Sequence, residues 1–345
     1  MAKIKKHHYI PRFYLKGFTL TKKSSLIVFD KKDNSFYQSS ISNIAMENNY
    51  YSFLQPNGEK DQESFEKFFN TIETKASEII ISVKKQKKLT EEEIDWFSIF
   101  IALFRLRVPK WRRFTEEVIL RIFEKFAREM VIDPERLKSI VDRFEENSGE
   151  IFDIPLDKLR EMILDNKIKI SINNHVISLL LMSKMLFTFA SILAQMNWAF
   201  LETHSSFSLV TCDNPIFYND PFRDNQSIYG LGLTTKTIEL TLPVTKNIAL
   251  LMTWDNNKQG YYKINQETAK SINHRTIASA DRFIYAGTMT NELKKIINKY
   301  NKITPDNQIG ENGPYIIAAN KPYILPKENR TIFQGNQLFH SSNSI

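Results

Sequence analysis

Apolar residues recur at three- and four-residue intervals through the middle of the chain and gather into short runs toward its end, so helices are predicted first and strands after them. Between residues 62 and 85, Phe65, Phe68, Phe69, Ile72, Ala76, Ile79 and Ile80 keep helical spacing. That segment is predicted to be an amphipathic helix, followed by the cations of Lys84-Lys85-Gln86-Lys87-Lys88, which suit a helix C-terminus. Thr90 with Glu93 three residues later forms a capping box for the next helix, which carries Trp96, Phe97, Phe100, Ile101 and Phe104 and is expected to stop near Val108-Pro109. Further helices are expected over residues 111–130, from the Asp133-Pro134 cap, from Pro155, and over 174–195.

After Asn197 the pattern changes. Residues 198–201, 207–211, 237–242, 248–253 and 282–286 read as strands, with helices at 265–278 and 291–300 between and after them. Near the start, residues 25–30 and 35–38 flank the turn Lys31-Lys32-Asp33-Asn34 and form a small hairpin. The expected class is α+β: a helical middle region packed on a C-terminal antiparallel or mixed sheet, with a small N-terminal hairpin. With no internal repeat or low-complexity linker, residues 1–345 are expected to be one interwoven unit. Within it lie an N-terminal part (1–58), a helical region (59–196), a sheet-containing region (197–327) and a polar tail (328–345).

Composition changes this picture in three places. Cys212 is the only cysteine, which excludes an internal disulfide framework and a cysteine-rich zinc site and fits a reducing, cytoplasmic setting. The most apolar stretch, Val176 to Ala194, carries Lys184 at its centre, and a charge at mid-bilayer costs about 3 kcal/mol. A buried core helix is therefore expected there, not a membrane span. The net charge of +8 and a pI near 9.2 are compatible with a phosphate-bearing partner. Nucleic acid is the expected one, reached through the clusters 84–88 and Lys110-Trp111-Arg112-Arg113.

Phosphate loops, nucleophile elbows, HExxH and paired CxxC signatures are absent, which argues against the common NTPases, α/β-hydrolases and zincins. The candidate chemistry lies in scattered polar residues. His7 and His8 are adjacent, so in an extended segment they face opposite sides; either one is a candidate base or ligand, or the two are a surface pair. Glu63, Glu66, Asn70 and Glu73 share one helix stripe, a solvated face or a pair of carboxylates for acid/base work or a divalent cation. Arg107 forms a salt bridge to Glu66 or Glu73, or binds a phosphate bidentately. Asp213-Asn214-Pro215 is a hydrogen-bonded turn or presents a carboxylate and an amide at a strand end.

The opening His7-His8-Tyr9-Ile10-Pro11-Arg12-Phe13-Tyr14-Leu15-Lys16-Gly17-Phe18 resembles that of the domain-of-unknown-function family 4238, as does the run Val210-Thr211-Cys212-Asp213-Asn214-Pro215, where Cys212 stands in place of an expected serine. The resemblance extends over roughly residues 3 to 290. It implies that His8 is the more regular histidine of the opening, that Glu66, Glu73 and Arg107 match family positions, and that Leu242-Pro243-Val244-Thr245, Asn273 and Asp281-Arg282 belong to the later pattern. The family carries no established activity. One reading is a phosphodiester-cleaving enzyme acting on RNA or DNA, with His7, His8, Glu73 and Asp213 catalytic, Arg12, Arg107 and Asn214 contacting substrate, and Glu66, Glu73 and Asp213 holding a divalent metal. The competing reading is a non-enzymatic binding or scaffold protein in which the same motifs are structural clasps. A group transferase is a third possibility.

Overall fold

In a computed structural model, the chain is described at residues 5–20, 24–55, 58–165, 167, 174–204, 206–221 and 232–301. The polar tail expected from residue 328 lies outside them. The protein is α+β. The chain divides into two compact units, one of Met1–Trp111 with Leu181–Ile345 and one of Arg112–Leu180.

The first unit begins with β1 (Lys6–His8), α1 (Arg12–Lys16), β2 (Ser25–Asp30), β3 (Ser35–Ser40) and β4 (Met46–Asn48). The short pair β5 (Phe53–Leu54) and β6 (Lys60–Asp61) then leads into α2 (Ser64–Lys84) and α3 (Glu91–Leu106). In α2 the residues Phe69, Ile72, Ala76, Ile79, Ile80 and Val83 are buried at the predicted spacing, whereas Phe68 is 40 % exposed. The Thr90–Glu93 capping box is present in both directions. Pro109 opens the next helix, α4 (Pro109–Ile132), because a first-turn proline has no N–H to lose.

The second unit holds most of α4, then α5 (Pro134–Ser148), capped by Asp133 as expected, and α6 (Leu156–Leu164). Val131, Leu137 and Leu159 form its core, and Arg160 donates from Nε to the Val131 carbonyl at 3.0 Å. The helix α7 (Asn174–Ala194) contains the boundary between the units, at Leu180–Leu181. It is long and apolar enough to cross a membrane by length and composition, and only 33 % of that stretch is buried. Met182, Leu186, Ala190 and Leu193 are buried at three- and four-residue intervals, while Leu180, Lys184 and Phe187 are exposed. The buried core helix expected here is thus corrected to a helix buried along one stripe, with Lys184 on its exposed side.

The first unit continues with β7 (Asn197–Thr203), β8 (Thr211–Cys212), β9 (Phe217–Asn219), β10 (Glu239–Pro243), β11 (Ile248–Thr253) and β12 (Gly260–Ile264). It ends in α8 (Gln266–Ser279), β13 (Phe283–Ala286) and α9 (Asn291–Asn301). Among the described residues, one sheet runs β12-β7-β11-β10-β9 and is mixed, since β12 lies parallel to β7 and the other pairs are antiparallel. The second runs β3-β2-β13-β8. The N-terminal hairpin is therefore no separate feature: β2 pairs with β13, more than two hundred residues away in the chain. Tyr14 of α1 ties the opening motif to both sheets, donating to the Pro243 carbonyl at 2.6 Å and sharing a hydrogen bond with Thr211 Oγ1 at 2.8 Å.

Candidate functional site

β1 pairs with β4, which fixes His7 opposite Glu47 and His8 opposite Met46. Successive strand residues point to opposite sides, and the two histidines accordingly have different surroundings. His7 is fully buried. Its Nδ1 accepts the Tyr51 N–H at 2.8 Å and its ring stacks on the Tyr51 ring at 5.4 Å. The proton of the neutral ring is therefore on Nε2, which lies 3.8 Å from Glu66 Oε1 and has no hydrogen-bond partner.

His8 lines a cleft of about 640 Å³ in the first unit. One wall comes from β1 and α1 and carries Lys6, Arg12, Phe13 and Lys16; the other is the stripe Glu66, Asn70 and Glu73 of α2. Glu66 and Glu73, seven residues apart, project about 20° from one another on the helix, which is why both reach the same cleft. Lys5 Nζ pairs with Glu66 Oε2 at 2.5 Å, and Arg107 Nη1 donates to Glu73 Oε1 at 2.7 Å. His8 lines the same cleft, and its Nε2 is buried without a hydrogen-bond partner.

Burial first, and the Arg12 guanidinium second, hold the His8 pKa below the usual 6.5. His8 is neutral at pH 7 and able to accept a proton. The His7 pKa is also lowered, mainly by burial, with Glu66 opposing. A histidine with a lowered folded-state pKa binds fewer protons folded than unfolded. Its stabilisation is full above pH 6.5 and is lost as pH falls toward the folded value. Between pH 6.5 and 5, His7 is expected to remove up to about 2 kcal/mol of stability, the limit set by 1.36 kcal/mol per unit. Denaturant titrations of the wild type and His7→Asn, whose amide can still accept the Tyr51 N–H, should show a steeper acid loss in the wild type. Parallel curves would disprove this.

Arg107 is the C-cap of α3 and its side chain is fully buried. The guanidinium lies 5.9 Å from the Phe69 ring centroid and 5.7 Å from that of Phe104, with Nε and Nη2 unpartnered. It holds Glu73 in place and does not itself line the cleft.

Asp213 and Asn214 do not line it either. Asp213 Oδ1 accepts the Asp281 N–H at 2.8 Å, and Oδ2 accepts those of Arg282 at 2.7 Å and Phe283 at 2.8 Å. Asn214 donates to the Ser279 carbonyl at 2.9 Å and accepts from Arg105 Nη1 at 3.0 Å. The two residues clasp the end of α8 to the start of β13. Burial first, then the neighbouring Asp281, pushes the Asp213 pKa up to about 6, while the N–H donors pull it back. Glu66, Glu73 and Asp213 do not converge, and among the described residues no group of three or more His, Cys, Asp or Glu side chains is placed to share a metal ion. Of the candidate residues, the cleft thus gathers His8, Arg12, Glu66 and Glu73, while His7 and Arg107 contact its lining residues from outside it.

Lys6, Phe13, Lys16 and Tyr51 line the cleft without having been singled out as site residues by the sequence, and Asn70 does so as a member of the predicted α2 stripe. For Lys16 the signal was its position four residues after Arg12 in the opening motif; for Tyr51 there was none.

No curated protein and no solved structure matches the chain. The family described as protein of unknown function (DUF4238) matches residues 6–290, which include both walls of the cleft and the Asp213 clasp, and the chain belongs to that family.

Proposed function

We propose that the cleft binds and cleaves phosphodiesters of RNA or DNA. The observation that carries this reading is His8, whose Nε2 is buried without a hydrogen-bond partner and which lines one cleft with three cations, Lys6, Arg12 and Lys16, and the Arg107-held carboxylate of Glu73. Buried polar atoms are nearly always paired, so an unpartnered nitrogen on a residue that lines a cleft is a place for a ligand group to satisfy. Neutral His8 takes a proton from the attacking water as it bonds to phosphorus. The bond to the leaving oxygen breaks, and the proton passes from His8 to that oxygen. The cations offset the charge that gathers on the phosphoryl oxygens. Glu66 and Glu73 are also the carboxylates open to a divalent cation, although each is already paired with a basic side chain.

The test is cleavage of labelled RNA and DNA by the purified protein with magnesium, with manganese, and with a chelator. Product formation is expected, and inert wild-type protein under all three conditions would refute the enzyme. One observation favours a non-enzymatic role for part of the motif set: the Asp213-Asn214 clasp has every side-chain heteroatom engaged within the fold. Binding without cleavage is the outcome that would extend this role to the cleft.

A further inference from the structure

We infer that the strand accepted by the cleft is single-stranded, its backbone running along α1 and one base stacking on Phe13. This rests on the phosphodiester reading. Arg12 and Lys16 are exposed, line the cleft and stand one helical turn apart, about 6 Å along the axis. They can therefore meet neighbouring phosphates of one strand. The opposite wall carries Glu66 and Glu73 and repels phosphate, which sets the backbone against α1.

Phe13 lies between these two cations in sequence. It is half-buried, packed against Phe100 with centroids 5.6 Å apart, and it also faces the cleft. A ring braced from behind with accessible surface in front is a platform for an unpaired base. A base in a duplex is already stacked and paired and reaches such a ring only by leaving the helix.

The experiment is fluorescence anisotropy with a labelled oligonucleotide of RNA, its DNA counterpart, and the duplex of each. Single strands are expected to bind roughly tenfold or more tightly than duplexes. Phe13→Leu keeps an apolar side chain against Phe100 and loses the aromatic face; it should weaken single-strand binding by about 5- to 150-fold, the worth of one stacked base. Lys16→Ala, at an exposed position, should lower the slope of log K against log salt by about 0.7. Equal binding of duplex and single strand, or an undiminished affinity in a folded Phe13→Leu protein, overturns the inference. Single-strand binding with these signatures but no cleavage supports it and removes the enzymatic reading instead.

Discussion

Asp213→Ala should cost the protein about 3 kcal/mol or more and lower its melting temperature by roughly 6–12 °C, at 2–4 °C per kcal/mol. The substitution takes the acceptor from the Asp281, Arg282 and Phe283 N–H groups at once. Each buried donor left without a partner costs about 1–3 kcal/mol, and the three are coupled enough that their costs do not simply add. The damage centres on β13, which pairs with both β2 and β8, so losing its anchor loosens the four-stranded sheet from the inside. Asp213→Asn retains one carbonyl acceptor and turns an amide donor toward the remaining N–H groups. It should fall between alanine and the wild type. Denaturant unfolding of the three proteins measures the series, and a loss below about 1 kcal/mol for Asp213→Ala would show the clasp to be dispensable. Because Asp213 does not line the cleft, its folded variants should keep whatever turnover the wild type has.

The different fates of the two specific motifs show what a single sequence carries. The opening motif was legible in part, because the opposite directions of neighbouring histidines in an extended segment are a local consequence that β1 shows, whereas the short helix α1 after Pro11 was not predicted. The stripe of α2 and the cap of α3 are local in the same sense. Asp213-Asn214-Pro215 reads identically as a turn or as a site, and the choice is made by backbone donors nearly seventy residues later. The strand predicted over residues 207–211 shrinks to Thr211–Cys212 for a related reason. The Leu209 N–H goes to the Lys246 carbonyl, and that of Val210 goes to the side chain of Asn273. Neither is free for a regular ladder. β12 was missed because its residues are mostly half-exposed or exposed and give no apolar run, its place being fixed by parallel pairing with β7. Arg107 matched an expectation only in its partner: the salt bridge to Glu73 is present, and its burial makes it a positioning residue instead of a phosphate contact.

His8→Ala should reduce turnover by about 10²- to 10⁴-fold, the usual worth of a positioned base, while changing single-strand affinity little. Affinity resides in the cations and the Phe13 ring of that wall, and a neutral imidazole contributes no charge to it. The pH dependence adds a signature that a structural histidine cannot give. Burial and Arg12 lower the His8 pKa in the free protein, so kcat/KM should rise with pH through a value below 6.5 and be level across neutrality. A phosphate bound at Arg12 offsets that cation, and the inflection in kcat should then lie above the one in kcat/KM. Arg12→Ala removes the cation itself: the kcat/KM inflection should move up, and KM should rise. His8→Ala acting through the fold would instead lower the melting temperature along with activity and leave no pH-dependent step for Arg12→Ala to move. If His8→Ala retains more than about a tenth of wild-type turnover in a folded protein, His8 is not the base.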